Sequence, residues 1–75
     1  MAKISIDLIS SDDFLDMPLS SQALYFHIAI NSKKGFCNRV KATIREINAT
    51  EGDLEMLIKK RFLEKNIFGN YEIKL

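Results

Sequence analysis

Apolar and polar positions divide the chain into short segments, each with its own period. From Lys3 to Ile9, Ile4, Ile6 and Leu8 alternate with Ser5 and Asp7, a period of two that predicts a short half-buried strand. Ser10-Ser11-Asp12-Asp13 then offers helix N-caps ahead of Phe14 and Leu15. This predicts a brief helix stopped before Pro18, because proline disfavours helical angles in the residue preceding it. Ser20 is the expected cap of a second helix running to Ile30. Its apolar residues (Ala23, Leu24, Tyr25, Phe26, Ile28, Ala29 and Ile30) nearly encircle it, so it belongs at the centre of the core.

Asn31-Ser32-Lys33-Lys34-Gly35 reads as a turn, Phe36-Cys37 as a short strand, and Asn38 as the cap of a third helix striped by Val40, Ile44 and Ile47. Asn48-Ala49 breaks that helix. Thr50-Glu51-Gly52-Asp53 has the form of a capping box with Asp in the third position. The helix that follows is expected to end near Arg61, with Leu54, Leu57 and Ile58 inward and Gly52, Glu55, Met56, Lys59 and Lys60 outward. Residues 62–75 read as a hairpin around Phe68-Gly69-Asn70. A three-residue loop, which pairs Ile67 with Tyr71 and Leu63 with Leu75, gives a coherent apolar face and leaves Phe68 exposed at the tip.

Two helices joined by a tight turn and followed at once by a hairpin describe an α+β, mainly α, winged helix-turn-helix with a C-terminal β-hairpin wing. At 75 residues the chain is one domain, residues 1–75, in which nearly every large apolar side chain is needed for one core. There is no linker, repeat or low-complexity segment. Hydrophobic residues make up 47% and charged residues 28%, an ordinary globular balance, and no apolar run reaches the roughly 20 residues of a membrane helix. Met1-Ala2-Lys3-Ile4 has no signal-peptide pattern and Cys37 is a lone cysteine, so a reducing cytoplasm is the expected location.

Chemistry narrows the function further. One His and one Cys cannot complete a zinc set, and His27 reads as a core or boundary histidine with a local hydrogen bond. No glycine-rich phosphate loop or nucleophile–base pair is present, and Asp12, Asp13 and Asp16 read as helix capping. The expectation is therefore a binding protein without catalysis, metal or cofactor. Candidate phosphate-binding cations are Lys33, Lys34, Arg39, Lys41, Arg45, Lys59, Lys60, Lys65 and Lys74. Against them stand a net charge of only +1 and an acidic start (Glu51, Asp53, Glu55) to the would-be recognition helix. Met56 and Phe68 are candidate protein-interface residues. The residues thus leave duplex DNA and a protein partner both open, the latter including a second copy of the chain.

The block Phe14-Leu15-Asp16-Met17-Pro18-Leu19-Ser20-Ser21-Gln22-Ala23-Leu24-Tyr25-Phe26-His27-Ile28, with Ser10-Ser11-Asp12-Asp13 before it, resembles the opening of the N-terminal domain of phage replisome organisers. These are replication-initiation proteins of phages and prophages of Gram-positive bacteria, related in architecture to DnaD-type primosome proteins. Downstream, Gly35-Phe36, the helix after it and Asp53-Leu54-Glu55-Met56-Leu57-Ile58-Lys59-Lys60-Arg61-Phe62 resemble the family's second half, so the likeness covers essentially the whole chain. The chain departs from the family at Lys33-Lys34, where members usually carry acidic or small residues. The resemblance implies a role in starting phage DNA replication in the bacterial host cytoplasm, with the winged helix contacting origin DNA or a replication partner such as a helicase loader. A transcriptional regulator of the same fold is a third reading.

Overall fold

Residues 4–73 are described by a computed structural model, a small α+β arrangement that is about half helix. The helices are α1 (Ile6–Ile9), α2 (Asp12–Leu15), α3 (Leu19–Ile30), α4 (Val40–Glu46) and α5 (Glu51–Lys59). The strands are β1 (Phe36–Cys37), β2 (Leu63–Lys65) and β3 (Tyr71–Ile73), which form an antiparallel sheet in the order β1-β3-β2.

The segment expected as a strand from Lys3 is instead the single turn α1, while Lys3 itself lies outside the described residues. Four residues cannot separate a period of two from one of 3.6. The helix puts Ile4, Leu8 and Ile9 partly against the core and turns Ile6 out, 70% exposed. Ser11 caps α2 as expected, its side chain accepting from the Phe14 N–H at 3.3 Å. Phe14 then anchors this turn, 1% exposed, with its ring edge-on to Tyr25, Phe26 and Phe62 at 5.4, 5.6 and 5.5 Å.

Helix α3 packs against both α4 and α5 and buries Leu24, Tyr25, Ile28 and Ala29. Its N-cap is Pro18, not Ser20: the Pro18 carbonyl already accepts from the Ser21 and Gln22 amides, and Ser20 lies within the first turn. Similarly α4 starts one residue later than expected, with Arg39 rather than Asn38 at the N-cap. The chain leaves β1 at Cys37 and needs the extra residue to turn into a helix, and the Arg39 carbonyl takes the first helical bond from Thr43. His27 is exposed on α3, not a core or boundary residue.

Helices α4 and α5 end alike. Asn48 and Arg61 take left-handed angles (φ 58° and 67°), and the amides after them return to carbonyls inside the helix, Ala49 to Ile44 and Phe62 to Leu57, each at 2.9 Å. This is the Schellman arrangement, usually built on glycine. The chain between α4 and α5 is thereby held to a tight turn. Before β1, Lys34 and Gly35 both have positive φ (53° and 83°) in a two-residue turn closed by paired bonds between Lys33 and Phe36.

The C-terminal hairpin differs from expectation in register. Leu63 pairs with Ile73 and Lys65 with Tyr71, around an Ile67-Phe68-Gly69 loop. Asn66 decides this: its Oδ1 accepts from the Phe68 and Asn70 N–H groups at 2.9 and 3.0 Å, and its own N–H donates to the Asn70 carbonyl. Gly69, at φ 84°, supplies the left-handed residue such a loop requires. The shift is by two residues, so the apolar face is kept, with Leu63, Tyr71 and Ile73 buried. Leu75 lies outside the described residues.

Candidate nucleic-acid interface

Helix α5 opens on a capping box whose acid, Asp53, also ties it to α3. The Thr50 hydroxyl accepts from the Asp53 N–H, and Asp53 Oδ2 accepts from the Thr50 N–H at 3.0 Å. The other carboxylate oxygen reaches across to α3, accepting from the hydroxyls of Ser20 at 2.7 Å and Ser21 at 2.9 Å. Burial pushes the Asp53 carboxyl up, but the hydrogen bonds from Ser20, Thr50 and Ser21 outweigh it and hold its pKa below the ordinary value.

With Asp53 turned inward, 7% exposed, the buried stripe of α5 is Asp53, Leu54 and Leu57. Two expectations are corrected accordingly. Ile58 is not inside but 37% exposed, and Met56 is not an outward side chain but half-buried against the core. Glu51, Gly52, Glu55 and Lys59 remain on the outer face.

Of the candidate cations, Arg39, Lys41 and Lys65 come together. They line one groove with Asn38, Gly69 and Tyr71, between the start of α4 and the β2–β3 hairpin. The Lys65 ammonium lies over the Tyr71 ring, 5.9 Å from its centroid. Lys41 donates to both carboxylate oxygens of Glu51, at 2.7 and 2.9 Å, and this bond raises the pKa of its ammonium. The first acidic charge of α5 is therefore neutralised from α4. Arg39 donates to Asn31 Oδ1 at 3.1 Å and meets Glu46 at 3.4 Å. It also lines an adjoining groove with Lys33, Phe36 and Ile30. A basic run from Lys33 through Arg39 and Lys41 to Lys65 thus follows one side of the molecule.

Of the remaining candidates, Lys34, Arg45, Lys59 and Lys60 do not line these two grooves. Lys60 approaches Asp13 of α2, at 3.9 Å, and Lys59 lies exposed on the outer face of α5. Lys34 is at the exposed turn before β1, Arg45 is exposed on α4 beyond the groove's lining, and Lys74 lies outside the described residues. Sequence reasoning missed Arg61, which shares a groove with Ile58, Glu64 and Lys65. Its place between an amphipathic helix and a hairpin was the signal available. Phe68 is at the hairpin tip as expected, 81% exposed beside Ile67 at 94%.

Among the described residues no cluster of three or more His, Cys, Asp or Glu is placed to hold a metal ion, and no helix is long and apolar enough to cross a membrane. No protein-family model matches the chain, and comparison with curated proteins and with solved structures gives no match.

Proposed function

We propose that this chain is a winged helix-turn-helix domain that binds duplex DNA, without catalysis, in starting phage-type replication. The observation that carries the DNA reading is the groove in which Arg39, Lys41 and Lys65 meet. In this reading these cations, gathered in one groove between α4 and the hairpin, hold backbone phosphates while α5 sits in the major groove. The element order from α3 to β3 and the strand order β1-β3-β2 support the winged-helix reading. The replication role is supported by the resemblance of the segment from Phe14 to Ile28 to phage replisome organisers. In this reading α5 presents Gly52, Glu55 and Lys59 to the bases, and Lys41 offsets the charge of Glu51 beside the phosphates.

The test is duplex affinity measured as salt is varied. Each phosphate contact contributes about 0.9 to the slope of log K against log salt. Lys41→Glu and Lys65→Glu should each weaken binding and flatten that slope by about one contact. Absence of binding at low salt would overturn the DNA reading. A second reading, docking on a replication protein such as a helicase loader, is favoured by the exposed apolar wing tip, Ile67 and Phe68. Under that reading Phe68→Ser abolishes partner binding, while the lysine reversals leave it intact.

A further inference from the structure

The sixteen residues from Met17 to Ser32 contain no Asp, Glu, Lys or Arg, in a chain that is 28% charged. They include all of α3, yet α3 is not wholly enclosed. Leu19 is 81% exposed and Ile30 58%, Ala23 is exposed, and Phe26 is only partly covered. Spacings of four, three and four residues set these side chains in one stripe along the helix, as in a coiled-coil seam. At its N-terminal end the stripe meets Leu15, 57% exposed, and the acidic Asp16. At its C-terminal end lie Lys33, Arg39 and the half-open Phe36.

We propose that this face is a homodimer interface, in which α3 packs antiparallel against α3 of a second copy. The interface reads as self-complementary. With the two-fold axis passing between Leu24 and Tyr25, Leu19 comes opposite Ile30 of the second copy and the small Ala23 opposite its large Phe26, each pair occurring twice. Antiparallel packing also brings the acidic end of one helix, at Asp16, to the basic end of the other, at Lys33. Leu15 then reaches the groove lined by Ile30, Lys33 and Phe36. A parallel pairing would set Asp16 beside Asp16 and lose that match. The interface is formed by α3 and its flanks, and the inference does not depend on DNA binding.

Sedimentation equilibrium of the chain over a concentration series reads the association directly. The unmodified chain should dimerise, and Ala23→Glu and Ile30→Glu should each raise its Kd at least about tenfold. Both positions are exposed, so thermal unfolding followed by circular dichroism should show each variant still folded. Orientation is read by mixing Leu19→Cys with Ile30→Cys under mild oxidation. Antiparallel packing cross-links the two variants to each other, and neither efficiently to itself. A chain monomeric at its highest soluble concentration would overturn the proposal. So would a dimer indifferent to both glutamates, or preferential self-linking of Leu19→Cys.

Discussion

The Ser20 hydroxyl donates to Oδ1 of Asp53 across 2.7 Å and so ties the first turn of α3 to the first turn of α5. Ser21 adds a second bond to the same oxygen, and Thr50 occupies the other. Asp53→Asn replaces an acceptor with a donor in a site whose neighbours already donate. It should cost about 2–3 kcal/mol in urea unfolding, the range for a buried charged acceptor losing its partners.

Asp53 also gives stability a definite dependence on pH. Its folded pKa is depressed, so the unfolded chain takes up the proton first as pH falls. Its contribution is complete above roughly pH 4 and is lost progressively as pH drops toward and through the folded pKa. Urea midpoints measured down an acid series should therefore fall more steeply for the unmodified chain than for Asp53→Asn.

Arg61 holds a left-handed conformation that glycine adopts without a steric penalty. Arg61→Gly should raise stability, by about 1 kcal/mol at most, since the relief of strain is partly offset by the greater chain entropy of glycine. If the groove it shares with Lys65 holds phosphates, the same variant loses DNA affinity. Unfolding and binding measured on one sample should move in opposite directions.

Phe14 joins a short helical turn to the aromatic centre, and α2 has no other buried residue. Phe14→Ala should cost about 3–5 kcal/mol. That is comparable to the whole stability of many domains of this size, so calorimetry should show a greatly lowered or absent thermal transition.

Glu51 and Lys41 form an exposed pair whose removal should leave the melting temperature nearly unchanged. Glu51→Gln frees the Lys41 ammonium and removes a negative charge from the start of α5. Under the DNA reading it should strengthen duplex binding several-fold at low salt, with the gain shrinking as salt rises. Unchanged affinity would place Lys41 away from phosphate.

The features legible in the sequence are those decided by neighbours in the chain. Ser11 and Thr50 act as caps because their partners lie three residues on, and Phe68 reaches the tip because Asn66 and Gly69 shape the loop around it. Much of what escaped depends on residues far apart. The rotation of α5 is fixed by Ser20 and Ser21, more than thirty positions away, so the pattern around Leu54 could not choose between Met56 and Ile58 for the outer face. The hairpin register was ambiguous because alternation in the sequence lets either Ile73 or Leu75 oppose Leu63, and the bonds of Asn66 make the choice. The basic residues were visible, but which of them meet is set by the way α4 faces the β2–β3 hairpin. Nearly encircling apolarity marked α3 as central without revealing that one stripe stays uncovered.

The strand latest in the chain, β3, lies in the middle of the sheet, bonded to β1 on one side and β2 on the other. Its pairing with β1 joins residues almost half the chain apart, whereas the helix caps are local. Closing the long β1–β3 loop costs more chain entropy than closing the β2–β3 hairpin, so the long-range pairing is expected to limit the folding rate. Helical turns can form early, but neither outer strand has a sheet to join until Tyr71–Ile73 arrives. A substitution that weakens β3 should accordingly show itself in the refolding rate, and one on the outer surface of α5 in the unfolding rate.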